Sequence, residues 1–103
     1  MAKTVGMLTG GGDCPGLNAV IRAVVREADA AGWDAVGILE GWRGLVDGAF
    51  RDLALRDVSG ILPRGGTILG TTRTNPFKVD GGVDRVLANI RDRGLDAVVA
   101  IGG

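Results

Sequence analysis

The stretch MLTGGGDCPGLNAVIRAVV, residues 7–25, changes its hydrophobic period part-way along, and that change constrains the fold more than any other feature. Upstream, TVGML at residues 4–8 is a short apolar run bounded by glycine, the pattern of a buried strand. Downstream, Leu17, Val20, Ile21, Val24, Val25 and Ala28 recur at helical spacing and make one apolar stripe. Pro15 suits a first helical turn, Asp13 is placed to cap it, and Gly32 stops it. The unit is a strand, a glycine loop and a helix.

The rest of the chain repeats this alternation. DAVGIL, 34–39, reads as a second buried strand. EGWRGLVDGAFRDL, 40–53, is punctuated by glycine and reads as a loop with a short strand near 49–53. RDVSGIL, 56–62, reads as a short helix, and PRGGTILGTTRTNPF, 63–77, as a turn-rich segment around one small apolar patch. Val83, Val86, Leu87 and Ile90 form a second helical stripe closed by Gly94. LDAVVAI, 95–101, is a third buried strand, followed by Gly102 and Gly103. Continuously apolar strands alternating with helices predict an α/β fold: a doubly wound, Rossmann-like three-layer sandwich on a parallel sheet. A chain that stops at a glycine pair just after a strand reads as the front part of a larger domain.

Composition narrows the function. Twelve basic and twelve acidic residues cancel, so no overall field draws the chain to nucleic acid or to a membrane. Any anion site must be local. The single cysteine, Cys14, excludes an internal disulfide and fits a reducing cytosol. The N-terminal apolar run is too short for a signal peptide or a membrane span. Histidine and tyrosine are absent, so a general base must come from Asp, Glu, Lys or a partner.

In open α/β sheets ligands bind beyond the carboxyl ends of the strands, where both glycine clusters, 10–12 and 102–103, are expected. A glycine loop feeding a helix N-terminus offers unpaired N–H groups and about half a positive charge, which suits phosphate. A tight turn without a ligand is the plain alternative. A second alternative is dinucleotide binding: Gly10, Gly12 and Gly16 make G-x-G-x-x-x-G, one residue longer than the dinucleotide fingerprint, with Glu40 placed to hold a ribose hydroxyl. That alternative leaves residues 63–78 unexplained. No acid lies between Val58 and Val79, but Arg64, Arg73 and Lys78 stand among Gly65, Gly66, Gly70, Thr67, Thr71, Thr72 and Thr74. Glycine, hydroxyl and guanidinium together are the chemistry of phosphoryl oxygens, although a solvated polar loop has the same composition. Two such segments meeting at one place suit phosphoryl transfer, in which positioning and charge neutralisation supply most of the catalysis.

VGMLTGGGDCPGLNAVIRAVV, ILPRGGTILGTTRTNPFK and the terminal VVAIGG together resemble the N-terminal third of 6-phosphofructokinases. GGGDCPGLNAVIR and RTNPFK are most similar to the actinobacterial branch, which has ATP-dependent and pyrophosphate-dependent members. The resemblance implies two doubly wound domains with the active site between them. Residues 1–103 would be the N-terminal part of the domain that binds the donor phosphates. It implies transfer of a phosphoryl group from ATP or pyrophosphate to the 1-hydroxyl of fructose 6-phosphate with Mg2+, in a cytoplasmic, allosteric homo-oligomer, dimer or tetramer. Carried over by position, Gly11 and Gly12 would meet the donor phosphates, and Arg73 would bridge donor and acceptor as the catalytic arginine. Thr74 would follow it in the donor site, and Gly103 would open the loop toward the nucleotide. Trp42 falls where relatives have a tyrosine near adenine, with a packing role as its alternative. Arg22 and Arg26 match effector-binding arginines, or form a solvated helix face; at the third effector position stand Leu55 and Arg56. Cys14 sits where many relatives have alanine and reads as a small packed side chain. The magnesium aspartate, the catalytic aspartate and the sugar-phosphate ligands would all lie past Gly103. The chain by itself is therefore expected to be inactive.

Overall fold

A computed structural model describes residues 3–10, 16–60, 67–71 and 75–102. Among these residues four strands form one sheet in the order β3-β2-β1-β4: β1 Thr4–Gly10, β2 Asp34–Ile38, β3 Phe50–Leu53 and β4 Ala97–Gly102. β1 pairs in parallel with β2 from Thr4↔Asp34 to Met7↔Gly37, and with β4 from Val5↔Ala97 to Gly10↔Gly102. Among the described residues four α-helices cover it: α1 Leu17–Ala30, α2 Trp42–Asp47, α3 Leu55–Val58 and α4 Gly82–Arg93. Both expected helices are present, with Leu17, Ile21, Val25, Ala28 and Val86 of their stripes buried but Val20, Val83 and Leu87 exposed, and both end near left-handed glycines, Gly32 at φ 77° and Gly94 at φ 74°. Asp13 and Pro15 lie outside the described residues.

The sheet is parallel in its three inner and C-terminal strands, but β3 runs antiparallel to β2. The cause is the length of the connection. A parallel crossover needs about a dozen residues or more, and the link from Ile38 to Phe50 falls just short while containing a helix. It turns back instead, closed by the Leu39 N–H donating to the Ala49 carbonyl at 3.0 Å.

The segment 40–53 is not a loop before its strand: Trp42–Asp47 is helical. The local signal is faint because the helix is six residues long and carries an internal glycine. Packing holds it. Gly44 sits so close to β2 that a Cβ there would come 2.1 Å from the Leu39 carbonyl oxygen. Asn89 of α4 donates its amide to the carbonyls of Leu45 at 2.6 Å and Val46 at 3.1 Å, capping the last turn of α2.

The alternation of β1 divides the core into two layers. Val5 and Met7 face α1 and α3, together with Ile21, Val25, Leu53, Val58 and Leu69. Leu8 faces α2 and α4, together with Ile38, Leu45, Val46 and Val86. The two sheet edges differ. β3 is short and polar: Asp52 is ion-paired with Arg93, and Arg51 lies 3.4 Å from Asp57. β4 carries no charge and its residues are half-buried or exposed.

Candidate functional site

The parallel register brings the carboxyl ends of β1 and β4 together as Gly10 and Gly102. On the α2 side the wall is Trp42, whose indole Cδ1 and Nε1 would lie 3.6 Å from a Cβ at Gly10. The chain leaves this point at Gly10 and returns at Gly16, the N-cap of α1. Gly16 has no side chain to offer the helix, and the first turn of α1 contains no acid. The positive end of the helix dipole is thus free of opposing charge on its own first turn.

On the opposite face lies the segment 67–71. Thr9, fully buried one residue before Gly10, donates its hydroxyl to the Gly70 carbonyl at 2.8 Å. The Thr9 and Thr67 hydroxyls are 3.0 Å apart, and with the Thr9 proton directed to Gly70 it is Thr67 that donates between them. The Leu69 N–H then donates to the Thr67 hydroxyl oxygen at 3.1 Å. Asn18, in the first turn of α1 and 2% exposed, accepts from the Ile68 N–H at 2.8 Å. Two residues past β2, the Glu40 N–H donates to the Leu69 carbonyl at 2.8 Å. Leu69 itself is buried over Gly37, where a Cβ would come 2.5 Å from its Cδ2. The two glycine segments are therefore fastened to the same strand end and the same helix start.

Among the residues expected at the site, Trp42 is here. Gly11, Gly12, Arg73, Thr74 and Gly103, with Cys14 and Arg64, lie outside the described residues; the described chain stops at Gly10 and Thr71 and resumes at Gly16 and Asn75. Arg22 and Arg26 stand one turn apart on the outer side of α1. With Ala19, Ala23, Glu27 and Ala30 they line a groove of about 370 Å³. Lys78 is exposed in the 3-10 turn Pro76–Lys78, beside Phe77, which is 84% exposed. Among the described residues no group of three or more His, Cys, Asp or Glu could hold a metal ion, and no helix is long and apolar enough to cross a membrane.

Thr9 and Asn18 did not stand out in the sequence as site residues. Their signal is there in retrospect: a hydroxyl closing an apolar strand, and an amide within a buried helix stripe. Both break the apolar pattern without being exposed. Glu40 also bears on the second segment. Among the described residues it is the one non-glycine with positive φ, 58°, and it seats the second loop through its backbone.

Comparison with known proteins decides between the two phosphate readings. The profile of the family described as Phosphofructokinase matches residues 4–103. The chain belongs to the phosphofructokinase family. It is 62% identical over 100 residues to the pyrophosphate–fructose 6-phosphate 1-phosphotransferase of Amycolatopsis methanolica, a match covering 96% of this chain and 29% of that protein. It is 46% identical over 99 residues to the ATP-dependent 6-phosphofructokinase of Aquifex aeolicus, covering 96% of this chain and 31% of that protein. The crystal structure of Pichia pastoris phosphofructokinase in the T-state superposes with a TM-score of 0.94 at 39% identity, covering all of this chain and 11% of that one. This phosphofructokinase segment thus spans under a third of the length of the curated relatives it matches. The dinucleotide reading, with Glu40 on a ribose, has no support among these relatives.

Proposed function

We propose that this chain is the donor-phosphate half-site of a cytoplasmic, oligomeric 6-phosphofructokinase. That enzyme moves a phosphoryl group from ATP or pyrophosphate to the 1-hydroxyl of fructose 6-phosphate, giving fructose 1,6-bisphosphate. Residues 1–103 make up the N-terminal part of its donor-binding domain. The observation that carries the reading is the common anchorage of the two glycine segments: Thr9 and Asn18, on either side of the first loop, both hold residues 67–71 of the second.

In this reading the N–H groups of Gly11 and Gly12, with the first turn of α1, receive the donor phosphate oxygens. Arg73, two residues beyond Thr71, brings its guanidinium to the oxygens shared between donor and acceptor, where negative charge spreads during transfer. Thr74 adds a hydroxyl to the donor site, and Gly103 opens the next loop from the end of β4. The 1-hydroxyl oxygen of the sugar bonds to the transferred phosphorus as the bond to the leaving ADP or phosphate breaks; the base that accepts the hydroxyl proton lies outside this chain. Mg2+, when bound, would neutralise the phosphates, and its protein ligands also lie outside the described residues. Arg22 and Arg26 are assigned to an effector anion on the outer side of α1, away from the glycine loops.

The test is Arg73→Ala in the full-length enzyme. A group that stabilises the transition state loses kcat when removed, whereas one that only holds the donor raises its KM. We expect kcat to fall about 100-fold or more, in line with the loss of a preorganised charge-stabilising donor. A rise confined to the donor KM refutes the catalytic role.

A further inference from the structure

We propose that Thr9 and Asn18 are positioning residues for phosphoryl transfer. They hold the segment 67–71 against the carboxyl end of β1 and the first turn of α1, and so fix the point from which the chain runs on toward Arg73. The inference rests on the reading of this edge as the donor-phosphate site.

Neither side chain is placed to meet a ligand directly. Thr9 is fully buried and Asn18 is 2% exposed. Each instead reaches across a long sequence separation to a backbone group of the second segment: Thr9 to the Gly70 carbonyl at 2.8 Å, Asn18 to the Ile68 N–H at 2.8 Å. Buried polar groups of this kind are confined to geometries that satisfy them, because a lost partner leaves a desolvated donor or acceptor. The two bonds have different directions. One holds the far end of the segment by its carbonyl, the other its near end by its amide, and together they fix both position and rotation. Thr67 completes the first contact, linking the Thr9 hydroxyl to the Leu69 N–H. Leu69 fills the space left by the missing Cβ of Gly37, so the segment is also keyed to β2. The Glu40 N–H ties the middle of the segment to the chain just after β2; the hydroxyl and the amide add a hold at each end, on β1 and α1, and narrow the freedom that remains. Displacements of about 1 Å in a transfer site can cost about 100-fold in rate, so the freedom matters to catalysis.

The experiment is a mutant cycle in the full-length phosphofructokinase that carries this segment. Thr9→Val keeps the shape and removes the hydroxyl; Thr9→Ser keeps the hydroxyl. We expect Thr9→Val to lower kcat about 10- to 100-fold with little change in the KM for fructose 6-phosphate, and Thr9→Ser to recover most of it. Combined with Arg73→Ala, Thr9→Val should cost little further, because both act through the same group. Thr67→Val, at a half-buried position outside the sheet, provides the same readings should Thr9→Val not fold. Asn18→Leu should behave like Thr9→Val. If the losses are additive with Arg73→Ala, or if Thr9→Ser is as impaired as Thr9→Val, the positioning role is wrong. If Arg73→Ala itself leaves kcat unchanged, it is the donor-site reading that fails, and the two failures are separate.

Discussion

Gly102 lies directly against Gly10: a Cβ built on Gly102 would stand 2.4 Å from the Gly10 carbonyl oxygen, and its φ of 108° lies in a region that side chains rarely enter. It is Gly102 that must lack a side chain here, because a Cβ at Gly10 would make only ordinary contact, 3.6 Å from the Trp42 indole. Gly102→Ala therefore meets steric and torsional cost at once. Strained backbone of this kind costs about 1–3 kcal/mol, and the clash with a carbonyl adds to it. We expect a stability loss of more than about 2 kcal/mol by denaturant unfolding.

Glycines elsewhere separate packing from torsion. Gly44 is buried in α2, and a Cβ there would meet the Leu39 carbonyl oxygen at 2.1 Å and Ile38 Cγ2 at 2.9 Å. Gly60 has nothing within 4 Å. Gly44→Ala should cost about 2 kcal/mol or more by forcing α2 off the sheet. Gly60→Ala should lie within about 0.5 kcal/mol of the parent, or stabilise slightly by stiffening the unfolded chain. Equal effects at the two positions would contradict the close seat of α2 on β2.

Trp42 offers a way to tell a nucleotide donor from a bare pyrophosphate. Its indole stands beside Gly10, at the mouth of the first loop. Base stacking on an aromatic ring is worth roughly 1–3 kcal/mol. In the full-length enzyme, Trp42→Ala should weaken ATP binding about tenfold and leave pyrophosphate binding within about twofold, measured by calorimetry. Equal weakening of both donors assigns Trp42 to packing alone.

The isolated 103-residue chain is expected to show no phosphotransferase activity with ATP or pyrophosphate and fructose 6-phosphate in a coupled assay. Turnover above background would overturn the half-site reading.

β4 should also make this chain self-associate. It is an apolar edge without the charges that guard β3, and unguarded edges invite strand pairing. Ala100, exposed on that edge, is the place to interrupt it. Ala100→Lys should shift the chain toward monomer in sedimentation, and an unchanged distribution would exclude β4 as the contact.

Much of this was legible from local pattern. The stripes of α1 and α4, the strands β1, β2 and β4 and the stops at Gly32 and Gly94 follow from periodicity and glycine placement, because each element is long enough to repeat its own signal. What escaped was decided by tertiary contact. Helix α2 exists because Gly44 fits against β2 and Asn89 caps its end, and neither fact is local. The reversal of β3 follows from connection length rather than from the composition of FRDL. At the site, glycine, threonine and arginine announced phosphate chemistry. The bonds from Thr9 and Asn18 that bring the segments together span 61 and 50 residues of chain, beyond any sequence window.

The amide of Asn89 gives the molecule a mechanical linkage. By gripping the last carbonyls of α2 it ties the helix that begins with Trp42 to the middle of α4. Losing that one amide would therefore loosen two helices at once, since the end of α2 would lose its cap and α4 its hold on the neighbouring layer.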